Sequence, residues 1–167
     1  WDAFRAGALA RYAERRDLPG VEGTSRLSPH LRFGTIGVRR LLAEARGAWA
    51  EADAAGRRSI DGFVGEIAWR EFYASILAEF PSVLARSFRP EFERFPWASG
   101  EEAARLFATW RDGVTGYPIV DAGMRQLARE GWMHNRVRMI VASFLTKHLL
   151  VDWRRGEELF RARLADG

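Results

Sequence analysis

At 167 residues, 47% of them hydrophobic and 13% aromatic, the chain is long and apolar enough to bury a core, which excludes a disordered segment. It has no cysteine, so disulfides, zinc–thiolate sites and cysteine nucleophiles are excluded as well. The formal net charge is +4, and of the 26 basic residues all but Lys147 are arginine, which fits a polyanionic partner and equally an ordinary basic protein.

Helical spacing of apolar residues predicts a first helix over residues 2–15. Residues 20–28 read as a loop. Ser28-Pro29 supplies an N-cap and a first helical position for a short helix. A further helix begins near Gly34-Thr35 and runs through Leu41, Leu42 and Ala45, and residues 50–57 read as a connector. A long helix follows over 59–80, ended by Pro81, and residues 81–100 are irregular. Helices over 101–110, 118–129, 133–150 and 157–164 complete the chain, with a turn at Asp152-Trp153. No alternation of period two persists, so the fold class is all-α, in one compact piece.

His30, His134 and His148 do not fall at metal-ligand spacings, so no metal is expected. No apolar run reaches the roughly 18–20 residues of a membrane span, and no signal peptide is visible. A cytoplasmic protein without a membrane partner is the expectation. The start at Trp1, without Met, suggests an excised piece.

Three segments suggest chemistry. Residues 23–28 (GTSRLS) gather hydroxyls and a guanidinium ahead of a helix start, an anion seat or simply a capped helix with a solvated arginine. Glu66, Trp69, Arg70 and Tyr73 form one stripe at i, i+3, i+4 and i+7, opposite Phe63, Ile67 and Ile76. That pattern suits the wall of a polar pocket, and it equally suits a core tryptophan beside an ordinary ion pair. In residues 131–139 (GWMHNRVRM), Asn135, Arg138 and Met139 lie near one helix start, where they line a ligand site or cap an exposed helix end. Trp97, Trp110, Trp132 and Trp153 pack a core unless a redox cofactor makes them an electron path.

Together with residues 115–127 (TGYPIVDAGMRQL) and 142–157 (ASFLTKHLLVDWRRGE), these segments closely resemble the class I DNA photolyase and cryptochrome family, in family order and across nearly the whole chain. The resemblance implies an α-helical FAD-binding domain. The cofactor carries the chemistry: reduced FAD, excited by blue light, passes an electron to a cyclobutane pyrimidine dimer flipped out of UV-damaged DNA.

By the same resemblance, Tyr12, Thr24, Ser25, Arg26, Leu27, Ser28, Arg70, Arg138 and Asp166 contact FAD, and Phe63 falls where some relatives carry a tryptophan beside the flavin. Arg16, Glu66, Trp69, Arg70, Asn135 and Met139 face the DNA, with Glu66, Asn135 and Met139 at the dimer itself. Trp97 and Trp153 match the outer and middle members of a tryptophan chain that photoreduces the flavin.

Asn135 and Met139 stand where enzymes for (6-4) lesions carry histidine, which favours cyclobutane-dimer repair over photoreception. The rival expectations are a cryptochrome-type photoreceptor and a helical nucleic-acid-binding module without cofactor. The family's N-terminal α/β antenna domain, with its second chromophore, and the residues that complete the flavin pocket lie outside the sequence. Residues 1–167 alone are therefore expected to form a partial domain, a monomer that binds FAD weakly or not at all.

Overall fold

A computed structural model describes residues 1–167, and every regular element in it is helical. The expected all-α class therefore holds. The contacts divide the chain into two compact units, Trp1–Leu84 and Ala85–Gly167, where one compact piece was expected. Each has its own apolar core. No helix is long and apolar enough to cross a membrane.

The first unit opens with α1 (Asp2–Gly7), a 3-10 turn (Leu9–Arg11) and α2 (Tyr12–Arg15). The expected continuous helix over 2–15 is thus broken at Ala8. α3 (Ser28–Arg32) is one short turn, and Ser28 is its first residue rather than its cap, which is Leu27. α4 (Val38–Glu51) buries Leu41 and Ala45 completely, two of the three positions the helical spacing marks, while Leu42 is partly buried.

α5 (Ala54–Glu79) starts earlier than expected because the Asp53 side chain accepts a hydrogen bond from the Gly56 N–H at 2.8 Å. The stretch read as a connector is therefore mostly helix. Pro81, which has no N–H to donate, follows where α5 ends, and a 3-10 turn takes over (Pro81–Leu84). α5 buries Ile60, Phe63 and Ile67 against Phe4, Leu9, Tyr12 and Leu27. At roughly 1.5–3 kcal/mol for each large apolar side chain buried, this face holds the unit together.

In the second unit, residues 85–99 contain a 3-10 turn (Pro90–Arg94), and α6 (Gly100–Arg111) follows. α7 (Pro118–Glu130) has Pro at its first position and ends at Gly131, whose φ of 62° places it in the left-handed region glycine tolerates. α8 (Asn135–Ser143) is capped by the His134 ring, which accepts from the Arg136 N–H. Its continuation is a turn of π-helix (Phe144–His148), a widening the 3.6-residue pattern did not show.

α9 (Trp153–Arg163) begins four residues before its expected start, because Asp152 accepts from the Arg154 N–H at 3.0 Å and caps it. Trp110 is fully buried in this core, and its indole N–H donates to the Val141 carbonyl at 2.9 Å. α7 and α8 approach closely at Gly123, where any Cβ would overlap Val137.

Candidate functional site

In the first unit the loop before α3 carries the anion-seat candidates. Thr24, Ser25 and Ser28 are partly exposed, Arg26 is exposed, and Leu27 is buried as the loop's anchor. Gly23 lets the loop press on α2, since a Cβ there would sit 2.5 Å from Arg15 Cβ. Arg26 turns the chain with φ of 51°, unusual for a side chain with a Cβ. The helix behind the loop has only five residues. Anion attraction here rests on the hydroxyls and the guanidinium, not on a helix dipole.

Tyr12 and Phe63, both expected at the flavin, are buried and pack edge to face with centroids 5.6 Å apart, inside a ring cluster with Trp1 and Phe4. Arg16 leaves the same helix end with its guanidinium 5.3 Å from the Tyr12 ring and 2.6 Å from Glu66. Burial opposes the Arg16 charge, but the hydrogen bond to Glu66 and the nearby carboxylates outweigh it and raise its pKa. Two of the expected DNA-facing residues are thereby locked to each other.

The remaining stripe on α5 is exposed. Trp69 is 52% accessible and Tyr73 64%, and the two rings pack with Phe72 at centroid distances of 5.3–5.9 Å. Exposed aromatic faces of this kind stack on unpaired bases. Arg70 is held by its neighbour Glu71. The sequence pattern did not single out Phe72, although it belongs to the same cluster.

In the second unit, Asn135, Arg138 and Met139 do not form one group as expected. Asn135 and Met139 are exposed neighbours, the Asn135 amide lying 4.0 Å from the Met139 sulfur. Arg138 turns the other way. Its Nε donates to the Met133 carbonyl at 2.9 Å, and its two terminal nitrogens reach Asp166 at 3.2 and 3.3 Å. The Arg136 guanidinium takes the place foreseen for Arg138, 3.7 Å from the Met139 sulfur. The i, i+3 spacing from Arg136 to Met139 was the available signal.

Trp97 packs on Phe95 with ring centroids 4.4 Å apart, and the next residue, Ala98, donates to the Leu150 carbonyl at 2.8 Å. Trp153 opens α9 with the Arg154 guanidinium 4.8 Å from its ring. Arg154 also bonds Asp152, Glu93 and the Ala85 carbonyl. Asp121 was missed as a structural carboxylate. It is buried and accepts from the Thr115 N–H and hydroxyl and from the Gly116 N–H. Burial alone would raise its pKa, but these hydrogen bonds, with help from Arg125, lower it below the usual carboxylate value.

The donor sets fit a flavin dinucleotide chemically. Hydroxyls and a guanidinium in one loop suit a pyrophosphate. A carboxylate held by a guanidinium suits a heterocycle that offers both N–H and carbonyl edges. The Asp166 side chain is only 12% exposed, so it is fixed in place. No group of three or more His, Cys, Asp or Glu is arranged to hold a metal ion.

Comparison with known proteins agrees with this chemistry. Residues 63–167 match the family model described as the FAD binding domain of DNA photolyase. The chain is 54% identical over 167 residues to a deoxyribodipyrimidine photo-lyase of Halobacterium salinarum, covering 99% of the chain and 34% of that protein. It is also similar to the crystal structure of a bacterial class III photolyase from Agrobacterium tumefaciens, with a TM-score of 0.92, 47% identity, and coverage of 99% and 33%. A Synechocystis cryptochrome structure aligns with a TM-score of 0.85 at 35% identity, over 99% of this chain and 34% of that one. The chain spans about a third of the length of the curated relatives it matches. With a family model matching well over half of its residues, the chain belongs to the family of the FAD binding domain of DNA photolyase.

Proposed function

We propose that this domain serves light-driven repair of cyclobutane pyrimidine dimers in DNA, as part of a deoxyribodipyrimidine photo-lyase working with reduced FAD. The observation that carries the reading is the head of α8, where an exposed amide (Asn135) and a thioether (Met139) stand side by side with Arg136 against the sulfur. An amide offers hydrogen bonds to a pyrimidine edge, the thioether offers a soft apolar contact, and the guanidinium suits a phosphate.

FAD, when bound, supplies light absorption and the electron. Thr24, Ser25, Arg26 and Ser28 hold its phosphates, with Leu27 anchoring their loop. Arg138 and Asp166 would orient its ring, and Tyr12, Phe63 and Arg70 would make further contacts. Arg16 keeps Glu66 in place, and Glu66, Asn135 and Met139 receive the lesion while Trp69 and Arg70 meet the DNA around it. Trp97 and Trp153 would be the members of the tryptophan chain that supplies electrons to the flavin when it is bound.

Class I is our reading from the motif set, alongside the similarity to a class III enzyme. A separate antenna domain with its own chromophore, a monomeric state and a cytoplasmic location belong to the same proposal. The second reading, a photoreceptor without repair activity, draws on the cryptochrome likeness. The deciding experiment illuminates the full-length, FAD-reduced protein with blue light over an oligonucleotide containing thymine dimers. Light-dependent loss of dimers is expected. Persistence of the dimers with fully reduced flavin overturns repair in favour of photoreception.

A further inference from the structure

A cavity of about 240 Å³ opens in the second unit where α6, α7 and α9 meet, and none of the roles above uses it. Its floor is apolar, formed by Met124 and Leu127 of the buried core. Its walls carry three guanidiniums, one from each helix: Arg111, Arg125 and Arg163.

One carboxylate, Asp112, stands among them, and Arg111 already holds it with two hydrogen bonds of 2.7 and 3.0 Å. The hydrogen bond from Arg111 lowers the Asp112 pKa, and the more distant Arg163 adds its field. The other nearby carboxylate, Asp121, spends both oxygens on Thr115 and Gly116. Neither the Arg125 nor the Arg163 side chain makes a hydrogen bond or a close ion pair; Arg125 acts on Asp121 and Arg163 on Asp112 only at longer range, so the N–H donors of two forks stay open at one concave site.

The Arg125 stem also runs close to a neighbouring turn. It lies under the turn at Gly113, where a Cβ would sit 3.0 Å from Arg125 Cγ and 2.8 Å from the Asp121 carbonyl.

We propose that this cavity is a binding site for a terminal phosphate group. Two guanidiniums with no hydrogen-bonded carboxylate suit a phosphate monoester, which carries about −1.5 to −2 near neutral pH, better than a backbone diester with its single charge. Planar forks match phosphate oxygens pairwise, and the apolar floor suits the organic part of a phosphomonoester.

The test titrates inorganic phosphate into the full-length protein at constant ionic strength and follows the arginine side-chain N–H resonances, assigned through the variants below. Saturable shifts of Arg125 and Arg163 are expected, with a Kd on the order of 1 mM. R125Q combined with R163Q weakens binding about tenfold or more, while D112N, which removes the competing carboxylate, tightens it about threefold. These residues lie on the surface, so the variants keep the fold, and circular dichroism checks it.

A dinucleotide bearing a 5′ phosphate should bind at least as well as the free ion, and the same dinucleotide without it should not bind. Equal binding of the two dinucleotides assigns the site to the nucleic-acid backbone and overturns the proposal. So does an affinity unchanged in the double variant, or the absence of saturation at about twentyfold above the expected Kd.

Discussion

Arg138 grips Asp166 through both of its terminal nitrogens, at 3.2 and 3.3 Å, across 28 positions of sequence. Its third nitrogen, Nε, donates to the Met133 carbonyl, so the guanidinium has one orientation. D166N should therefore act on cofactor retention more than on the fold. In the full-length protein we expect about a tenfold weaker hold on FAD, measured by flavin release on dilution. The stability cost should be near 1 kcal/mol, because the pair is only partly buried. A variant that keeps its flavin as the parent does would remove Asp166 from the site.

Asp121 makes stability depend on acid. Its folded-state pKa is depressed, so its contribution is complete above the unfolded value near 3.9 and disappears as the pH falls through the folded value. D121N should lower stability by about 1–3 kcal/mol at neutral pH. The gap between D121N and the parent should close as the pH drops below about 4. Thermal melts at several pH values check this, and a gap of constant size contradicts it.

The loop and helix start joined by Arg154 form a third test. One side chain spans Asp152, Glu93 and the Ala85 carbonyl while lying over Trp153. R154A should loosen residues 85–97 without unfolding the core below. Hydrogen exchange there should rise by about tenfold, while exchange in α7 stays as before. Equal acceleration in both regions would make Arg154 a global support.

Much of this architecture was legible beforehand, and the failures have physical causes. α7 was read almost to the residue because Pro118 and Gly131 mark its ends by backbone chemistry alone. The start of α5 was missed because alanines and a glycine resemble a linker until Asp53 is seen to cap them. In the site, the neighbours Asn135 and Met139 follow from helical spacing. The direction of Arg138 does not, because its partner is fixed by tertiary packing rather than by the helix it sits on. Asp121 escaped for a similar reason, since its donors lie in a turn whose shape is invisible in the string.

Gly123 sets the distance between α7 and α8. A methyl group there would overlap Val137 Cγ1 and approach Val141 Cγ1 to 3.3 Å, and neither β-branched side chain swings away easily. G123A should cost about 1–3 kcal/mol by denaturant unfolding, and G123V more. A neutral G123A would mean that the two helices slide freely.

Recognition of the lesion should depend on the head of α8. N135A and M139A are each expected to weaken binding of dimer-containing DNA about tenfold, with little change for undamaged duplex. A filter-binding or fluorescence competition assay measures the ratio. If both DNAs weaken equally, the two residues only support the helix end.

The π-turn at Phe144–His148 also makes the chain sensitive to counting. A wide turn holds one residue more than an α-turn within the same circuit around the helix axis, so it stores a spare residue without turning the departing chain. Deleting a single residue there would let the turn close as an ordinary α-turn and leave Val151 and Trp153 on nearly the same bearing, whereas adding one would swing them round. In this segment the loss of one residue is absorbed where a further gain is a rotation, so tolerance to length is one-sided.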